Sequence, residues 1–166
     1  HPLQSAADVE AYFARLTALG SALDQETDRI RHDAGLGVIL PEFTLATTIA
    51  QLQTLRQSSP ERTPMIAPAI QRAAAAGLGD IGERAGRIFS ETITPALSRQ
   101  IAALEALRNK AGNTAGVWAL PDGADYYGAA VRSNTTSSMP PAELHQLGLR
   151  LVADLSAQLD RSLRSQ

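Results

Sequence analysis

Residues 5–35 read SAADVEAYFARLTALGSALDQETDRIRHDAG, and this stretch decides the fold. Val9, Phe13, Leu16, Gly20, Leu23, Thr27 and Ile30 recur at alternating steps of four and three. That spacing places them on one face of a long α-helix. Ser5 and Asp8 have the capping-box separation, with Asp8 a shorter substitute for the usual Glu. Asp33-Ala34-Gly35 predicts the stop, Gly35 supplying a left-handed cap.

Working outward from that helix, the pattern stays helical and no alternating strand is found. Pro41 sits as a first-turn proline and predicts a helix through Leu45, Ile49, Leu52 and Leu55, closed by Ser58-Ser59-Pro60. Thr63-Pro64 predicts a capped start and Gly77 the stop of a short alanine-rich helix. Gly82 and Gly86, four apart, predict close helix packing. Thr94-Pro95 predicts a long helix kinked or broken around Pro95 and running on through Leu97, Ile101, Leu104 and Leu107. A short helix from about Ala124 to Arg132 follows the Pro121-Asp122-Gly123 turn. A last helix starts near Pro141 and carries Leu144, Leu147, Leu151, Leu155 and Leu159. The expected architecture is all-α, a bundle of about six or seven helices. The chain reads as a single helical domain, or as a fragment of a larger helical protein.

Composition excludes several classes. The chain has 166 residues, 44% hydrophobic but only 4% aromatic, so its core must come from Leu, Ile, Val and Ala. With 15 basic against 17 acidic residues there is no basic face for a nucleic acid. Cysteine is absent, which removes disulfides and thiolate metal sites. No apolar run is long enough to span a bilayer. The chain opens on His1-Pro2-Leu3 rather than on methionine, which predicts a piece of a longer polypeptide.

Metal-dependent hydrolysis needs imidazoles and carboxylates held together, with two histidines one helical turn apart as the common helical solution. His1, His32 and His145 lie far apart, so no zinc or other cofactor is expected within this chain. No G-x-S-x-G elbow and no phosphate-binding glycine loop is present. Pairs such as Glu83 and Arg87 read as solvated helix faces.

Polar and aromatic groups concentrate instead in residues 118–148, WALPDGADYYGAAVRSNTTSSMPPAELHQLG. Tyr126 and Tyr127 are adjacent, so on a helix they point about 100° apart. One is expected in the core and the other free to offer its hydroxyl to a ligand. Asn134, Thr135 and Thr136 stand at a helix end, where short polar side chains satisfy loose backbone groups, with substrate contact the competing role. His145 lies one turn into the last helix, expected either packed between helices with a hydrogen-bond partner or in contact with substrate. Trp118 reads as an anchor for its loop.

The order of these pieces resembles the signature of a bacterial family known as domain of unknown function 885, DUF885. Residues 35–43, GLGVILPEF, resemble its glycine-then-proline element, and residues 93–107, ITPALSRQIAALEAL, its proline-started helix. The signature region, residues 117–154, carries the most specific match: Tyr126, Tyr127, Thr135, Thr136, Glu143, His145, Leu147 and Gly148. The resemblance implies a helical, gluzincin-type zinc metallopeptidase in which HExxH and a later glutamate hold the metal. HExxH is absent from this chain. The resemblance therefore implies a non-metal-binding portion of the parent, inactive alone and forming a wall of the cleft for a peptide-like substrate. Tyr126, Tyr127, Asn134, Thr135, Thr136 and His145 are its candidate substrate contacts. Zinc, and the remainder of the same polypeptide as partner, are implied for the parent, as is an exported or periplasmic location. Where the family has Ser or Thr ahead of the last helix this chain has Pro140, so the cap is expected from Ser138 or is missing. The alternative is a non-catalytic helical interaction module. Self-association through an apolar face left open by truncation is a further expectation.

Overall fold

The computed structural model describes residues 3–164 and is helical throughout, with no strand among the described residues. The helices are α1 (Ala6–Gly35), α2 (Glu42–Gln57), α3 (Ala67–Ala75), α4 (Gly82–Ile88), α5 (Thr94–Arg108), α6 (Gly123–Thr135) and α7 (Pro141–Arg164). The contacts divide the chain into two compact units, one ending at Thr114 and the other beginning at Ala115.

In the first unit, α1 is the spine, and its stripe is the one read from the sequence. Val9, Phe13, Leu16, Gly20 and Thr27 are buried, with Leu23 and Ile30 half-buried at its edges. Ser5 and Asp8 form a reciprocal capping box: the Ser5 hydroxyl accepts from the Asp8 N–H, and Asp8 accepts from the Ser5 N–H at 2.9 Å. At the other end the expectation fails by two residues. Gly35 remains helical and Gly37 takes the left-handed backbone, φ 85°. A Cβ is tolerated at Gly35, so the turn falls on the later glycine.

The boundary of α3 is also displaced. Thr63 does not cap it through its side chain. The Thr63 hydroxyl donates to the Pro60 carbonyl at 2.7 Å, and its own carbonyl accepts from Ile66 and Ala67 N–H. Pro68 then occupies the first turn of α3. Gly77 does end the helix, with φ 68° and N–H bonds from Gly77 to Ala74 and from Leu78 to Ala73 that satisfy the last carbonyls. Gly82 packs against Ile70, whose Cδ1 would lie 3.3 Å from a Cβ there.

Around Pro95 the helix does not break: helical residues run without interruption from Gly82 to Arg108. Residues 89–93 form one π-helical turn that joins α4 to α5 without a gap. The Thr94 N–H bonds the Phe89 carbonyl, five residues back. Wide turns of this kind absorb an extra residue, and here they also absorb a proline that has no N–H to give.

Two apolar clusters follow from this arrangement. Phe13, Leu16, Ile66, Phe89, Ile93 and Leu97 centre the first, where α1, α3, α4 and the π turn meet. Leu45, Ile49, Ile101 and Leu104 centre the second, between α2 and α5. Removing one such side chain to Ala costs about 2–5 kcal/mol. At the margins Arg84 stacks 4.1 Å over the Phe13 ring and pairs with Glu10, and Arg99 grips Asp24 with two 2.8 Å bonds. These pairs are exposed, so they orient α1 against its neighbours more than they stabilise it.

Candidate functional site

The second unit holds all six residues singled out from the sequence. It begins with a turn that only glycine can complete. A Cβ on Gly123 would lie 1.8 Å from the Val117 carbonyl oxygen. Asp122 precedes it in the left-handed region, φ 52°, and its carbonyl accepts the Tyr126 N–H at 3.0 Å. Trp118 folds back over Gly116, its Nε1 2.6 Å from where a Cβ would stand. The indole is nevertheless exposed, so it covers its own loop without being buried by it.

Tyr126 and Tyr127 leave the first turn of α6, and neither enters a core: they are 64% and 52% exposed. The expectation that one would be buried is corrected. Gly123 is the single buried residue among those described in this unit, so there is no interior for a phenol ring to enter. His145 is likewise exposed, not packed between helices.

Asn134, Thr135 and Thr136 serve the end of α6. Asn134 Nδ2 donates to the Ala130 carbonyl and Thr135 Oγ1 to the Val131 carbonyl, both at 2.8 Å. Thr136 is left-handed, φ 53°, with its hydroxyl donating to the Thr135 carbonyl at 2.7 Å. These bonds close a helix end, as short polar side chains do. Ahead of α7 it is Ser137, not Ser138, whose hydroxyl accepts a backbone N–H, that of Met139 at 3.1 Å. A shallow recess of about 280 Å³ lies beside this point, lined by Met139, Ala142, Glu143, Gln146 and Arg150. The structure does not gather the six candidates around it.

From Leu149 onward α7 is exposed on every side. Leu151, Leu155, Leu159 and Leu163 run along it at four-residue steps, all half or more exposed. Together they give an amphipathic helix an open apolar stripe.

Among the described residues, no three His, Cys, Asp or Glu side chains group as metal ligands. His32 stands on α1 and His145 on α7, while His1 lies outside the described residues. The donor set among the described residues does not fit a zinc ion.

A site that the sequence reading missed lies in the first unit. A pocket of about 430 Å³ opens between α1, α2 and α5, floored by Leu23, Ile30, Leu45 and Leu104. Gln100 lines it and is 4% exposed. The available signal was a polar residue on the buried face of α5, one turn after Leu97 and one before Leu104. Glu26 and Asp33 stand at its rim.

Fold and site together define an all-α protein whose second unit exposes its aromatic, histidine and leucine side chains. The family described as "Bacterial protein of unknown function (DUF885)" matches residues 1–166, and the chain belongs to that family. No curated protein matches it. The crystal structure of the putative lipoprotein from Colwellia psychrerythraea is similar in fold, with a TM-score of 0.87 at 23% identity. The match covers 99% of this chain and 29% of that one, so the chain spans under a third of the length of its structural neighbour.

Proposed function

We propose that this chain is a helical, non-metal-binding portion of an exported, zinc-dependent metallopeptidase-like hydrolase. In that reading it forms one wall of a cleft for a peptide-like substrate. The observation that carries the reading is the exposure of Tyr126, Tyr127 and His145 on a unit that buries almost nothing. Such groups line a cleft only if another part of the protein faces them. Family membership, and a structural neighbour more than three times longer, support a larger protein as the setting. The neighbour's description as a putative lipoprotein supports export.

The roles divide accordingly. Tyr126, Tyr127 and His145 offer hydroxyl and imidazole groups to a peptide backbone. Asn134, Thr135 and Thr136 hold the end of α6, and so the approach to α7, in place. Metal, base and attacking water belong to the rest of the polypeptide, which also covers α7. The test is peptide hydrolysis and metal content in the intact gene product beside residues 1–166 alone.

A second reading rests on the α7 stripe. Leu151, Leu155 and Leu159 would let the chain serve as a non-catalytic helical interaction module, in which a partner's apolar helix lies against α7. Absence of both zinc and hydrolysis from the intact product would favour this reading over the first.

A further inference from the structure

We propose that the pocket between α1, α2 and α5 binds a small amphipathic amine, with Gln100 as its hydrogen-bonding anchor. This site is independent of the peptidase reading, because it uses only residues of the first unit.

The argument starts from Gln100. A carboxamide brings two donors and an acceptor, and burying them without partners is costly. Gln100 is 96% buried, yet its side chain makes no hydrogen bond to any described residue. Equally, no buried side-chain polar atom among the described residues is sealed off without a partner. The two facts are compatible only if the amide keeps an opening, and the space it lines is the pocket. An apolar residue would fill this core position more stably. A carboxamide on this otherwise apolar wall is placed to bond a ligand that enters the pocket.

The surroundings define what would bind. At about 430 Å³ the pocket is in the range of small-molecule sites and too small for a helix. Leu23, Ile30, Leu45 and Leu104 make its floor apolar, which calls for an aliphatic or aromatic body. The rim carries Glu26 and Asp33, seven residues apart on α1 and so roughly 10 Å apart along its axis. Neither makes a side-chain ion pair among the described residues. Their neighbours differ: Asp24 is held by Arg99 and Asp28 by Arg31 at 3.0 Å. Of the four carboxylates in the last half of α1, the two without an ion pair are those that line the pocket, which favours a cationic nitrogen there.

The test is an NMR titration of the chain with leucyl-leucinamide, which has two apolar side chains, amide groups and a free amine. N-acetyl-leucyl-leucinamide, lacking the cation, is the comparison. Saturable binding is expected, with shifts confined to pocket residues, and acetylation should weaken it about tenfold. Gln100→Leu should weaken binding by about tenfold while holding or raising the melting temperature. Leu52→Trp, which closes the pocket from a half-buried position, should abolish binding whatever Gln100→Leu does to folding. Absence of saturable binding, or equal affinity for both probes, overturns the proposal. So does a Gln100→Leu chain that melts below the original, because the amide would then be structural.

Discussion

A Cβ on Gly20 would stand 3.1 Å from the Thr92 carbonyl oxygen and 3.2 Å from the Thr92 Cβ. Helix α1 therefore passes the π turn at a separation that leaves a methyl at residue 20 a few tenths of an ångström short of room. The π turn between α4 and α5 faces this contact, and the Thr92 hydroxyl is tied to the Ile88 carbonyl at 2.6 Å. Neither partner can easily withdraw, since one is backbone and the other is bonded in place.

The first prediction follows directly. Gly20→Ala should destabilise the chain by about 1–3 kcal/mol, as overpacking does, despite the helix propensity that alanine brings. Gly35→Ala is the control. It is also helical, but nothing lies within 4 Å of the new methyl. That change should stabilise by roughly 0.5 kcal/mol. Urea denaturation of both variants, showing opposite signs, checks the contact.

In the second unit, Gly123→Ala should cost more than about 3 kcal/mol locally, because a Cβ 1.8 Å from the Val117 oxygen forces the backbone apart. Hydrogen exchange at Tyr126, whose N–H bonds the Asp122 carbonyl, should become fast. Exchange in the Phe13–Phe89 cluster should not change.

Acid should act through three carboxylates. The Ser5 hydroxyl holds Asp8, Arg84 holds Glu10 and Arg99 holds Asp24 below the ordinary carboxylate range. A carboxyl depressed in the folded state binds fewer protons there than when unfolded. Its contribution is therefore present above the unfolded pKa and lost as pH falls through the folded one. Melting temperature should be flat from about pH 7 to pH 5 and decline below about pH 4. Asp24→Asn should flatten part of that decline. All three groups are exposed, so the effect should be modest and smaller in high salt.

The stripe on α7 predicts association. Sedimentation of residues 1–166 should show concentration-dependent self-association, and Leu151→Glu with Leu155→Glu should abolish it. The same pair should change unfolding free energy by less than about 0.5 kcal/mol, since neither leucine is buried in this chain.

Most of the fold is legible in the sequence because periodicity survives wherever a helix faces a core. The α1 stripe from Val9 to Ile30 and the capping box at Ser5 are read directly. What is not legible depends on residues distant in sequence. Nothing local shows that Pro95 is absorbed by a π turn, because the turn packs against Gly20, which is distant in sequence. Nothing local shows that Tyr126 and Tyr127 are both exposed, because their exposure reflects how little the second unit buries. Gln100 shows the opposite limit. Its position on the apolar face of α5 is visible in the sequence, but its lack of a partner can be seen only in three dimensions.

The most direct test of the proposed role is to measure bound zinc and hydrolysis of a fluorogenic peptide by the intact gene product beside residues 1–166. Zinc and hydrolysis in the intact product alone, both dependent on its metal-binding part, with hydrolysis reduced by His145→Ala or Tyr126→Phe, is the predicted result. Stoichiometric zinc and hydrolysis in residues 1–166, or neither property in the intact product, would contradict it.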